Sequence, residues 1–298
     1  VGEYLSRLFG KPIGKAVLTI LLLTGPLPVT IFNLKDLYDF TSTNILNQTP
    51  IEAIACFSVA TVLFGLTLGV PTIGRAAELL FPLTVFLILV MIVSQTPAIR
   101  FDEILPIGEY GFKPIVAASL LLVGYPYLEP SVVWMIGYRM DKPEHLVRAL
   151  FISAIVSAVF FFLATFVTIT TSGPELGAQL SFPTYFNVKM INIGDFYQRI
   201  ESLLSFIFFV MIFFRQALLF FVSASGVSEL FSVRDYRHLL VPLALVLLPL
   251  SFNVWSNPGE LFALVRNWVG FRLLFGVLLP LIILFVAIWK QRRAVASA

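Results

Sequence analysis

Two ionisable side chains lie inside long apolar runs, and they are the residues most able to do chemistry. Glu129 closes the segment Gly124-Tyr125-Pro126-Tyr127-Leu128-Glu129, which is followed by Pro130 and set in a run that is otherwise apolar from Pro114 to Ile136. Arg215 stands between Phe206–Met211 on one side and Leu218–Phe221 on the other. Charges at membrane depth are expensive and face a bundle interior or a water-filled path. The chemistry they suggest is binding. A proline has no N–H and its ring collides with the preceding turn, so an unbroken helix across 124–130 is not expected. Backbone groups released at such a break suit the charged ends of a small solute. Two roles are open for Gly124, Tyr125, Pro126, Tyr127, Leu128 and Glu129: a ligand-binding break, or a simple proline kink with Glu129 satisfied by a neighbouring helix. Arg215 has two as well. It can be half of a structural ion pair with Glu129 or Glu78, or stand where other transporters bind a coupling cation.

Other chemistries find little support. His145 and His238 are far apart with no cysteine or acid cluster beside either, and there is no Gly-rich phosphate loop or nucleophile triad. No metal, cofactor or enzyme activity is implied. Cys56 is alone, which rules out an intramolecular disulfide, and its apolar surroundings predict buried packing.

The elements that must position these residues follow from composition. Of 298 residues, 58% are hydrophobic and 12% charged, a balance that belongs in lipid. A spanning helix needs about 20 mostly apolar residues. Eight stretches qualify: Ala16–Leu34, Ala53–Val70, Leu79–Val93, Pro114–Ile136, Leu146–Thr170, Leu203–Ser225, Leu239–Trp255 and Leu273–Trp289. Helices are required because lipid cannot satisfy stray backbone donors and these runs lack the alternation of barrel strands. The charged start and first apolar run imitate a signal peptide, but the run continues through Pro26, Pro28 and Asn33 without a small-residue cleavage site.

Placing the N-terminus in the cytoplasm collects Arg7, Lys11, Lys15, Arg75, Arg139, Lys142, Arg148, Arg234, Arg237, Lys290, Arg292 and Arg293 on the inner side. The outer side receives Lys35, Arg100, Lys113, Lys189 and Arg199, with Arg266 and Arg272 leading into the last helix. The positive-inside rule therefore favours two cytoplasmic termini. The net charge of +3 is spent on topology and implies no nucleic acid. Outer segments Ser94–Lys113 and Thr171–Arg199 are long enough to be caps over helix ends or the lid of a vestibule. Gly65, Gly69, Ser223, Ser225 and Gly226 permit close helix approach, and Tyr38, Trp134, Tyr138, Trp255, Trp268 and Trp289 read as interfacial anchors.

Several segments then resemble one family. Gly173-Pro174-Glu175-Leu176, Phe182-Pro183-Thr184 and Ile191-Asn192-Ile193-Gly194-Asp195-Phe196-Tyr197-Gln198-Arg199-Ile200-Glu201 are similar to the loop signature of the spore germination permeases, the B subunits of Ger-type germinant receptors. Arg75-Ala76-Ala77-Glu78-Leu79-Leu80-Phe81-Pro82, the break Gly124–Glu129, and Asp235-Tyr236-Arg237 with Val241-Pro242-Leu243 agree in order along the chain. The resemblance implies an all-α polytopic transmembrane helix bundle with the inverted-repeat fold of amino acid/polyamine/cation transporters, ten helices in two repeats of five. By that pattern residues 1–298 form a single transmembrane domain lacking the first two helices, and Val1–Lys15 precede the third. It further implies a receptor subunit in the bacterial cell membrane or spore inner membrane that senses a small nutrient, an amino acid or similar, with the germinant receptor A and C subunits as partners. The alternative is a proton- or cation-coupled amino-acid transporter.

Overall fold

Prolines and glycines set where the helices of this chain start, stop and bend. The computed structural model describes residues 1–106, 108–129, 132, 137, 143–190 and 200–296, with the backbone alone at Tyr125, Pro126, Pro143, Ile200, Glu201, Pro258, Ala294, Val295 and Ala296. Expectations for Pro130, Trp134, Tyr138, Arg139, Asp141, Lys142 and the signature loop 191–199 lie outside the described residues.

The helices are α1 (Gly2–Phe9), α2 (Lys11–Thr24), α3 (Pro26–Asn44), α4 (Ile51–Thr67), α5 (Val70–Ser94), α6 (Phe112–Leu122), α7 (Pro143–Ser172), α8 (Pro174–Gln179), α9 (Pro183–Met190), α10 (Ile200–Phe231), α11 (Arg237–Phe252), α12 (Pro258–Leu273) and α13 (Leu279–Ala296). Among the described residues there is no strand. Gly69, at φ 96°, makes the turn between α4 and α5 that a side chain would strain. Gly69 therefore serves this turn, a role beyond the close helix approach expected from sequence.

Five helical stretches are long and apolar enough to cross a bilayer: Lys11–Asn44, Val70–Ala98, Glu144–Ser172, Ser202–Phe231 and Gly259–Arg293. Three shorter apolar helices, Ile51–Thr67, Phe112–Leu122 and Arg237–Phe252, match the remaining runs seen in sequence. The chain is a polytopic helical membrane protein. Its exposed surface carries Phe57, Leu79, Phe151 and Phe285, side chains suited to acyl chains. Cys56 is exposed beside Phe57, contrary to the buried packing expected of it, because this face of α4 looks out of the fold.

The last spanning stretch begins well before the predicted Leu273. Asn257 caps α12 by accepting the Glu260 N–H at 3.0 Å, and the Glu260 carboxylate accepts from the Ser256 N–H at 2.7 Å. The helix then carries Arg266 and Arg272 within it.

The chain falls into two units. The first comprises Val1–Lys35, Pro114–Leu146 and Gln216–Ala298. Its α1 lies on α2, with Leu5, Leu18 and Leu22 buried against Leu27, Val227 and Ile283. The approach is close, since a Cβ on Gly14 would come within 2.6 Å of the Ser6 Cα. Gly226 likewise meets Leu22. Trp255 is buried, with the Phe32 ring 6.0 Å from its own, so it packs inside rather than anchoring at the membrane surface. Trp289 keeps the expected exposure, with the Arg293 guanidinium 3.9 Å from its ring centre.

The second unit comprises Asp36–Lys113 and Val147–Arg215. Phe40 is its aromatic centre, with ring centres of Phe182 and Tyr185 at 5.1 and 5.5 Å. Tyr38 is fully buried here, another aromatic that does not serve as an interfacial anchor. Gly65 admits the Phe213 ring, 3.2 Å from where a Cβ would stand. The segments 94–113 and 171–199 meet where Arg100 Nη2 donates to the Thr171 carbonyl at 3.4 Å, beside the Arg100 N–H that donates to the Thr170 carbonyl at 2.8 Å, and within the second segment the Ser172 hydroxyl donates to buried Asn187.

Candidate functional site

Prolines interrupt two helices of the first unit. In an unbroken helix the N–H of residue 28 would donate to the Thr24 carbonyl, but residue 28 is proline. Pro26 removes the donor for Leu22 in the same way. The chain bends at Gly25, α2 ends at Thr24, and the Thr24 carbonyl is left without its helical donor. The second interruption is the one expected from sequence. Helix α6 ends at Leu122 and the chain continues as one π-helical turn, Val123–Tyr127, containing Gly124 and Pro126. Wide turns of this kind arise where the i→i−4 ladder is disturbed.

One guanidinium joins the two interruptions. Arg272, in the last turn of α12, donates through Nη1 to the Thr24 carbonyl at 3.3 Å and through Nη2 to the Leu128 carbonyl. It is only 1% exposed. The neighbouring Glu129 carboxylate supplies an opposite charge that acts on Arg272. Hydrogen bonds from a charged donor contribute about 1.5–3 kcal/mol each, and helix C-terminal carbonyls are the negative end of the helix dipole, where a cation is favoured. Three residues earlier on the same face, Val269 fills the space in front of Gly124. A Cβ on Gly124 would sit 2.6 Å from Val269 Cγ2. Gly124 is therefore the seat of α12, and in this structure its open side is taken by a valine.

A buried polar ladder continues from the first break. The Thr30 hydroxyl donates to the Pro26 carbonyl at 2.6 Å and lies 3.2 Å from the Ser223 hydroxyl. One turn on, the Asn33 amide donates to the Gln216 carbonyl oxygen, and Gln216 Nε2 donates to the Thr30 carbonyl at 3.4 Å. Thr30, Asn33, Gln216 and Ser223 are all fully buried. Apolar contacts gain little in lipid, so such bonds carry much of the helix association.

Of the residues singled out in sequence, Gly124 is buried, Tyr127, Leu128 and Glu129 are half-buried, and only the backbone of Tyr125 and Pro126 is described. Arg215 is half-buried in α10 and belongs to the other unit, where Glu78 is exposed. Arg272 and Thr24 were missed. The expectation that Arg272 leads into the last helix is corrected: it lies inside that helical stretch and inside the fold. The paired prolines at 26 and 28 were the available signal, because they announce carbonyls in need of a donor.

The second unit holds a separate cavity of about 320 Å³, lined by Asp102, Glu103, Ser172 and Glu175 where the segments 94–113 and 171–199 meet. Among the described residues no group of His, Cys, Asp and Glu is arranged to hold a metal.

The seating of Gly124 gives a direct expectation. Gly124→Val drives two methyl groups into Val269, and overpacking of this kind costs about 1–3 kcal/mol. We expect a lower melting temperature for the detergent-purified protein, with at least half of the loss restored in Gly124→Val/Val269→Ala. A Gly124→Val protein as heat-stable as the parent refutes the contact.

A family model described as spore germination protein matches residues 1–257. The chain is 24% identical over 267 residues to spore germination protein KB of Bacillus subtilis (strain 168), covering 87% of this chain and 71% of that protein. It is 22% identical over 293 residues to spore germination protein YndE of the same organism, covering 97% and 79%. With spore germination protein A2, again from that organism, the figure is 20% over 292 residues, covering 97% and 78%. No solved structure matches the chain. The match runs through both helix breaks and the buried polar ladder between α3 and α10, and on this ground the chain belongs to the spore germination protein family.

Proposed function

We propose that this protein is the membrane-embedded, nutrient-sensing subunit of a germinant receptor. It recognises a small nutrient, an amino acid or similar, at the break formed by Gly124, Tyr125, Pro126, Tyr127, Leu128 and Glu129, and acts with the receptor's A and C subunits to start germination. The observation that carries this reading is the convergence of two interrupted helices on one buried charge, an arrangement that sets main-chain carbonyls released from their helices beside a charged donor. For Arg215 the two roles named from sequence, ion pair or cation position, stand as proposals. The reading is tested in spores whose sole germinant receptor contains the full-length protein. Tyr127→Ala and Glu129→Gln are expected to raise the nutrient concentration needed for germination, or to abolish the response, at normal abundance by immunoblot. Unchanged dose responses from both would move the sensing site elsewhere.

Interrupted helices also favour a second reading, that of a proton- or cation-coupled amino-acid transporter. Uptake of labelled amino acids into proteoliposomes separates the two.

We further propose that the described ends of the chain face the cytoplasm, in the cell membrane or spore inner membrane, on the strength of the Lys and Arg distribution. In a Cys56→Ser background, Asn47→Cys is expected to react with a membrane-impermeant maleimide added from outside, and Ser232→Cys only after the membrane is opened. The reverse pattern inverts the topology.

A further inference from the structure

Arg272 is a fork of charged donors, and two of its bonds go to neutral carbonyls, those of Thr24 and Leu128. A carboxylate is the better match for that fork, because it offers two parallel acceptors and a full charge, and charge-assisted pairs are roughly twice as strong as bonds to neutral groups. Bringing a lone anion to this place would leave the site with an excess negative charge, since Glu129 already sits beside Leu128 and opposes Arg272. A zwitterion avoids the excess. Its carboxylate takes the guanidinium, and its ammonium supplies three N–H donors for the Glu129 carboxylate and the two carbonyls that the guanidinium releases. The charge then balances beside a guanidinium that is itself buried.

We propose that Arg272 is the anchor for the carboxylate of a zwitterionic nutrient, and that binding works by exchange: the guanidinium leaves the Thr24 and Leu128 carbonyls for the ligand and so unclasps the two interrupted helices. The proposal rests on the reading of this chain as a nutrient sensor and deepens it. It ties recognition to movement, because the same two hydrogen bonds that hold α2 and the 123–128 segment to α12 are the ones a ligand replaces. A ligand can shift a conformational equilibrium only through such differential contacts.

The test uses spores in which the full-length protein belongs to the sole germinant receptor. The probes are an equimolar mixture of the twenty L-amino acids, a mixture of the corresponding L-amino acid amides, and a mixture of neutral sugars. With the parent protein the acids are expected to trigger germination at a concentration at least about tenfold lower than the amides. Arg272→Lys keeps the charge and loses the fork, so it is expected to raise the concentration of acids needed and to shrink the difference between acids and amides. A purely structural loss would weaken both mixtures alike. Amides as potent as acids with the parent protein, a comparison that needs no variant, overturn the proposal. So does an unchanged acid response from Arg272→Lys at normal abundance. A parent protein that answers only to sugars removes the carboxylate anchor and leaves the sensing role standing, whereas silence to all three mixtures removes both.

Discussion

Replacing Arg272 with methionine is expected to cut the amount of full-length protein in the membrane severalfold and to lower its melting temperature in detergent, the largest loss of any single substitution considered. Methionine fills a similar volume and is at ease in lipid, so the loss measures the charge and its hydrogen bonds rather than a cavity. The change leaves the Thr24 and Leu128 carbonyls without their donor and removes the cation opposite Glu129. Each hydrogen bond from the charged donor contributes about 1.5–3 kcal/mol, so losing both removes a large part of the roughly 5–15 kcal/mol that holds an ordinary domain together. Arg272→Lys retains the charge and one donor direction, and is expected to lose far less. The double variant Arg272→Met/Glu129→Gln should recover part of the loss, because the orphaned carboxylate is gone. Immunoblots of membrane fractions and thermal unfolding of the purified protein read both quantities. A methionine variant as abundant and as heat-stable as the parent would show that the clasp holds nothing.

Gln216→Leu is expected to have the next largest effect. Gln216 is fully buried and serves two partners at once, accepting from the Asn33 amide and donating to the Thr30 carbonyl. Leucine satisfies neither, and each buried polar group left without a partner costs about 1–3 kcal/mol. Asn33 suffers most. Its Oδ1 already has no hydrogen-bond partner among the described residues, so losing Gln216 strips its amide at both ends. The double variant Asn33→Leu/Gln216→Leu removes the whole amide pair and replaces it with apolar contacts that lipid-embedded helices tolerate. We expect it to be more heat-stable than Gln216→Leu alone. If the two single losses simply add in the double variant, Asn33 and Gln216 are not coupled and the ladder is a set of independent contacts.

Much of the helical plan was legible from the residues because its causes are local. An apolar run of the right length must become a helix in lipid whatever surrounds it, and the eight runs reappear as five long and three shorter helices. The break at Gly124–Tyr127 was legible for the same reason, since Pro126 lacks its N–H wherever the segment lies. The buried aromatics were not. Tyr38 and Trp255 have the composition of interfacial anchors, and only their packing shows them inside.

Arg272 marks the boundary between what each level of description decides. From sequence it is one of two arginines leading into the last apolar run, placed there by the Lys and Arg distribution alone. Its acceptors lie 248 and 144 residues away along the chain. The prolines that strip the Thr24 carbonyl of its donor are visible in the sequence, and so is the charge of Arg272. That one meets the other depends on how α2, α12 and the 123–128 segment come together, which no local spacing encodes. The sequence by itself determined a helical membrane protein with broken spans. Tertiary structure decided which charge answers the breaks, because a buried cation is tolerable only where distant backbone carbonyls and a carboxylate are brought within its reach.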